Sequence, residues 1–110
     1  MLVERRFAYR SEIKVSPADL ESARRGRKSC TIRLGTAEVE GKDIDLTDGR
    51  GRLRVRVTRV DTTKTFDQLG PEEASGEGFQ SKEELRADLR RYYRGLEGAQ
   101  PMTVIWFSIV

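Results

Sequence analysis

The chain has no histidine and a single cysteine, Cys30, among its 110 residues. Zinc sites of the Cys/His type therefore cannot form within one chain, and neither Ser-His-Asp nor Cys-His catalysis can be assembled. One cysteine closes no internal disulfide and fits a reducing compartment, with no disulfide-linked partner expected. Long apolar runs are also missing. The longest, Val104-Ile105-Trp106-Phe107, is far too short to cross a bilayer, so no membrane partner is expected. No cationic segment followed by an apolar one opens the chain, which makes the cytoplasm the expected location. Asp43-Ile44-Asp45 has the spacing of a carboxylate pair, but alternating acidic residues in a strand read as a solvated face. No metal and no cofactor is expected.

Hydrophobic residues make up 36% and charged residues 35% of the chain. That is polar for a globular domain, yet richer in apolar residues than a disordered chain. The length suits one core, so residues 1–110 read as a single domain. The net charge of +3 permits a nucleotide or nucleic-acid partner without requiring one. The cations are mostly arginine, whose planar fork suits phosphates and bases.

Leu2 to Tyr9 reads as a first strand with Phe7 and Tyr9 on one face. A helix follows, with Ser16 as N-cap, Pro17 in its first position, Asp19 at its positive end and Gly26 at its C-terminus. Ser29 to Leu34 reads as a strand, with Cys30, Ile32 and Leu34 on one face and Ser29, Thr31 and Arg33 on the other. Short strands are expected at 38–40 and 43–46. Leu53 to Arg59 alternates strictly, and Val60 breaks the pattern, which predicts a bulge near Arg59. Phe66 and Leu69 suggest a short helix ending at Gly70-Pro71, followed by a loop, Ser75-Gly76-Glu77-Gly78. Ser81 and Glu84 open the longest helix, with Leu85, Leu89, Tyr92 and Leu96 along one stripe and Arg86, Arg90, Arg91 and Arg94 opposite. This stripe predicts Tyr92 to be core. Thr103 to Val110 is apolar on both faces and so reads as a strand interior to the sheet. The pattern is α+β: a small β-barrel of five or six strands with two or three helices packed outside.

The densest chemistry lies in Gly26-Arg27-Lys28-Ser29-Cys30-Thr31-Ile32-Arg33, where cations and hydroxyls meet at a helix-to-strand junction. Lys28 and Thr31 are three apart, so in an ideal strand their side chains face opposite ways. For the two to act together, Lys28 must lie in the turn before the strand. Cys30 falls on the apolar face and reads as a small buried hydrophobe.

This segment resembles the Gly-x-Lys-x-x-Thr-x-Arg signature of ASCH domains in the PUA-like superfamily. The resemblance extends to Glu77 between two glycines, to the Ser81-capped helix and to the aromatic last strand, and it covers nearly the whole chain. Among ASCH domains, the chain resembles the small bacterial proteins of about this length, which include the N4-acetylcytidine amidohydrolases. The resemblance implies Lys28, Thr31 and Glu77 as catalytic residues, with Arg27, Ser29 and Arg33 binding the substrate. Three features depart from the pattern: Ser29 stands where threonine is common, Cys30 where an aliphatic residue is usual, and the stretch from Phe7 to Gly26 is longer. The implied activity is removal of an acyl group from the exocyclic amine of an acylated pyrimidine nucleoside. The alternative is an RNA-binding module, or an RNA-cleaving variant of it, using the same cleft. The partner is thus a modified nucleoside or RNA. Glu77 has two roles open to it: sharing a proton with Lys28, or positioning water and protonating the leaving amine.

Overall fold

A computed structural model describes residues 6–110. Its elements run β1 (Arg6–Tyr9), β2 (Glu12–Lys14), α1 (Pro17–Arg24), β3 (Cys30–Leu34), β4 (Thr36–Val39), β5 (Asp43–Thr47), β6 (Arg52–Thr65), α2 (Pro71–Gly76), α3 (Lys82–Tyr92) and β7 (Pro101–Ile109), with a 3-10 turn at Phe66–Gln68. The class is α+β, as expected. The strands number seven among the described residues, and they form two sheets with no closed barrel. Five of them lie in the order β2-β5-β6-β7-β3, and β1 pairs with β4. The β1–β4 and β2–β5 pairs are parallel and the rest antiparallel. The part of the expected first strand before Arg6 lies outside the described residues.

Two apolar clusters cover the two faces of the larger sheet, and β7 feeds both. Its Met102 and Val104 join Cys30, Ile32, Phe66, Leu69, Leu85 and Leu89 under α2 and α3. Its Ile105 and Phe107 join Ile13, Leu20, Ala23, Ile44, Leu46 and Val55 under α1. A strand buried on both faces has no polar alternation, which is why this one reads as continuously apolar. Thr103, fully buried, donates from Oγ1 to the Gly35 carbonyl at 2.7 Å and accepts from the Ala37 amide at 2.9 Å. This pair of bonds pins the corner between β3 and β4.

The helix signals were specific. Ser16 Oγ accepts from the Asp19 amide at 3.1 Å, and Ser81 Oγ from the Glu84 amide at 3.2 Å. Register shifts in the β6–β7 pairing fall between Val57 and Arg59 and between Asp61 and Lys64. The first lies where the alternation breaks; β6 then continues to Thr65 through residues of high strand propensity.

Three features differ from expectation. Pro71 begins α2 and does not end a helix, because a proline in the first position loses no intrahelical bond. The Gly70 amide is satisfied by Glu73 Oε1 at 2.7 Å. Tyr92 is 63% exposed and outside the core. The helix ends at Tyr92, and the residues after it that pack against the core cluster are Tyr93 and Leu96, so the expected stripe does not continue as one helical face. β2 was not foreseen, since three residues with one buried side chain, Ile13, are too few to show a period.

Candidate active site

The junction between α1 and β3 is built by a glycine. Gly26 has φ +74°, a conformation that costs residues with a Cβ but not glycine. It turns the chain so that the Arg27 and Lys28 amides both donate to the Ser22 carbonyl, at 2.9 and 3.3 Å. The Ser29 amide then donates to the Gly76 carbonyl at 2.7 Å, and β3 begins at Cys30. Lys28 therefore lies in the turn, as the spacing to Thr31 demanded.

The same Ser29–Gly76 bond ties this turn to the end of α2. A Cβ on Gly76 would lie 2.7 Å from Cys30 Sγ and 2.7 Å from the Trp106 ring. The helix can approach β3 and β7 this closely only because it carries no side chain at that position. Glu77, the next residue, is the C-cap of α2 and not a free loop residue. Its carboxylate meets the Lys28 ammonium in an ion pair whose side chains are 2% and 9% exposed, Lys28 the more buried.

Strands β2 and β3 are the two edges of the larger sheet, and no ladder joins them. Between them lies a cavity of about 310 Å³. The β2 side supplies Lys14 and Val15, and the β3 side Thr31, Ile32 and Arg33. Lys28 and Glu77 line it as well, together with Asp19 of α1 and Asp88, Leu89 and Tyr92 of α3. Arg33 spans the gap: its Nη2 donates to the Lys14 carbonyl at 2.7 Å, and its guanidinium stands over the Tyr9 ring at 5.9 Å. The unclosed seam of the sheet is thus the place where the polar groups gather.

Thr31 is buried, and its Oγ1 accepts from Arg33 Nε at 3.3 Å and Nη2 at 3.2 Å. Two guanidinium donors on one hydroxyl oxygen favour its anionic form and leave its own proton to donate elsewhere. Burial pushes the Lys28 ammonium below the ordinary lysine range; Asp19 and Asp88 oppose this shift, and Arg33 reinforces it. Glu77, in direct contact, also favours the proton-bearing form. Cys30 is fully buried, and desolvation raises its thiol pKa to about 12. That suits the packing role expected of it and removes it as a nucleophile near neutral pH.

The structure brings Lys28, Thr31, Arg33 and Glu77 to one cavity. It does not bring Arg27 and Ser29 there: both are exposed and neither lines the cavity. Arg27 follows the αL turn on the outside, and Ser29 is committed through its backbone to Gly76 and Phe107. Asp19, Asp88 and Tyr92 were not foreseen in the site. Asp19 carried a complete local explanation as a helix-dipole residue, and Asp88 and Tyr92 come from an element over fifty residues away from Lys28. Among the described residues, no group of three or more His, Cys, Asp or Glu side chains converges to hold a metal ion. No helix among them is long and apolar enough to cross a membrane.

Solved structures with a similar fold are known. The hypothetical protein PH0355 superposes with a TM-score of 0.67 at 19% identity, over 93% of this chain and 100% of its own. EF3133 of Enterococcus faecalis V583, a DUF984 protein, gives 0.67 at 16% identity over 100% of this chain and 78% of its own. An ASCH domain from Lactobacillus crispatus JV V101 gives 0.59 at 16% identity, over 96% of this chain and 80% of its own. No family model and no curated protein matches the sequence. The chain shares the fold of an ASCH domain.

Proposed function

We propose that the protein is a small amidohydrolase that removes the acyl group from the exocyclic amine of an acylated pyrimidine nucleoside of the N4-acetylcytidine type. The observation that carries this reading is the buried Lys28–Glu77 pair facing the same cavity as the Thr31 hydroxyl. Amide hydrolysis needs a nucleophile, a base to take its proton and a positive group for the oxyanion. Thr31, Lys28 and Arg33 fill these roles in turn.

With Glu77 holding the shared proton, neutral Lys28 accepts the proton of the Thr31 hydroxyl. Thr31 Oγ1 bonds to the acyl carbon, and Arg33 steadies the negative charge that develops. Collapse of the tetrahedral species breaks the bond to the exocyclic nitrogen, which leaves with the proton that Lys28 took. Water then attacks the threonyl ester, Lys28 takes a proton from it and passes that proton to the Thr31 oxygen as the ester bond breaks, and the carboxylic acid departs with Thr31 restored. The direct Lys28–Glu77 contact supports proton sharing over water positioning as the role of Glu77.

The alternative, an RNA-binding or RNA-cleaving module, draws on an open arginine surface. Here Arg54 pairs with Asp45 at 3.1 Å, Arg56 with Asp43 at 2.9 Å and Arg59 with Glu72 at 3.2 Å. Arg52 contacts both Glu12 and Asp45, at 3.0 and 3.3 Å. These cations are already compensated, which weighs against a phosphate-binding strip.

The test is release of cytidine from N4-acetylcytidine by the pure protein. Thr31→Ala and Lys28→Ala are each expected to lower kcat by about 10²-fold or more. No turnover by the wild type overturns the hydrolase reading, and turnover unchanged by both substitutions overturns the residue assignment. RNA affinity falling steeply with salt, without turnover, would favour the binding module.

A further inference from the structure

We infer that Tyr92 determines specificity for a planar heterocycle, its ring stacking on the base of the substrate while the acyl amide reaches Lys28 and Thr31. This rests on the hydrolase reading above. The cavity lining carries both kinds of surface: Lys28, Thr31 and Glu77 offer charge and a hydroxyl, whereas Ile32, Leu89 and Tyr92 offer apolar surface. Asp88 borders the cavity from α3, and the other tyrosine there, Tyr93, is packed against the core. A ligand that satisfies both parts is amphipathic, with a polar reacting group joined to a flat apolar body.

Tyr92 is placed to meet that body. Leu89 and Tyr92 are three apart and share one face of α3. Along this face burial falls from 3% exposed at Leu89 to 63% at Tyr92, the last residue of the helix. The face thus runs from the core to the rim of the cavity. An exposed tyrosine on an open surface needs no explanation; this one lines the cavity. A volume of about 310 Å³ lies at the small end of ligand sites and admits one ring system, not a stacked oligonucleotide. Every base offers a π-face, and removal of a stacking aromatic weakens binding by roughly 5- to 100-fold.

The experiment compares wild type, Tyr92→Ala and Tyr92→Phe in steady-state hydrolysis of N4-acetylcytidine, and in calorimetric binding of cytidine, which requires no turnover. The expected result is a KM raised about tenfold by Tyr92→Ala with kcat little changed, recovery by Tyr92→Phe, and a parallel loss of cytidine affinity. Because the side chain is mostly outside the core, the alanine variant keeps its fold. A fall in kcat at constant KM, or failure of phenylalanine to restore binding, overturns the stacking role. Hydrolysis by the wild type with unchanged cytidine affinity in Tyr92→Ala also overturns it, and leaves the hydrolase reading standing. Tyr92-dependent cytidine binding without hydrolysis does the reverse. A wild type that neither binds cytidine nor hydrolyses the substrate overturns both.

Discussion

Lys28–Glu77 and the ladder of Arg52, Arg54 and Arg56 against Asp43 and Asp45 are made of the same charges, and they differ in solvent. In the ladder the arginine side chains are more than half exposed, so attraction is screened and the side chains hold their geometry at an entropic cost. At the cavity both partners are withdrawn from water, and each is tolerable only because the other is there. An exposed cation–carboxylate pair therefore works as a solvated surface. In the proposed mechanism the buried one serves as a proton reservoir whose state responds to whatever enters beside it.

The largest expected effect comes from breaking the buried pair on one side only. Glu77→Ala removes the direct partner of Lys28 and is expected to lower stability by about 3–5 kcal/mol in urea denaturation. Replacing both partners, Lys28→Met with Glu77→Leu, is expected to return stability to the wild-type value or above it while activity stays absent. If Glu77→Ala costs no more than a surface substitution, the contrast between the two regions collapses.

Gly76→Ala tests what brings the pair together. Its Cβ would collide with Cys30 Sγ and Trp106, and overpacking of this kind costs about 1–3 kcal/mol. Since Glu77 follows directly, hydrolysis is expected to fall more than the loss of stability explains, read as kcat in protein that circular dichroism shows to be folded.

A pH series sharpens the comparison further. Lys28 in the folded chain releases its proton at a lower pH than the ordinary 10.5. Between those two values the unfolded chain binds more protons, so this lysine's contribution to stability rises with pH and is complete above about 10.5. Activity that needs neutral Lys28 is expected to rise with pH along the acid limb of kcat/KM. Asp43 shifts the other way in charge terms. Arg56 holds its carboxyl below the ordinary 3.8, so whatever it contributes is present above that value and is lost only as the pH falls through the lowered one. The smallest effect follows: Asp43→Asn is expected to leave the denaturation midpoint at neutral pH and high salt unchanged. A salt-resistant loss there would show the ladder to be more than a solvated face.

How much of this was legible in the sequence depended on the range of the cause. The caps at Ser16 and Ser81, the positive φ at Gly26 and the bulge near Arg59 are set by residues within a turn or two, and each was read correctly. Pro71 was misread because proline both ends and begins helices, and the choice rests on whether Glu73 can satisfy the Gly70 amide. Tyr92 was misread because the helical period was carried past the end of the helix: α3 stops at Tyr92, and Tyr93 and Leu96 take the core-facing places instead.

By itself the sequence determined that any chemistry here is done without histidine, that Lys28 belongs in a turn, and that Thr31 and Arg33 share a strand face opposite Cys30 and Ile32. These follow from composition and from the periods of two and 3.6, which act along the chain. Only the tertiary structure decided that the sheet stays open between β2 and β3, that α2 ends against Trp106 through a bare glycine, and that Asp19, Asp88 and Tyr92 border the same cavity as Lys28. Those are contacts between elements distant in sequence. They are set by how the two apolar clusters pack on opposite faces of β7, and no local pattern encodes that.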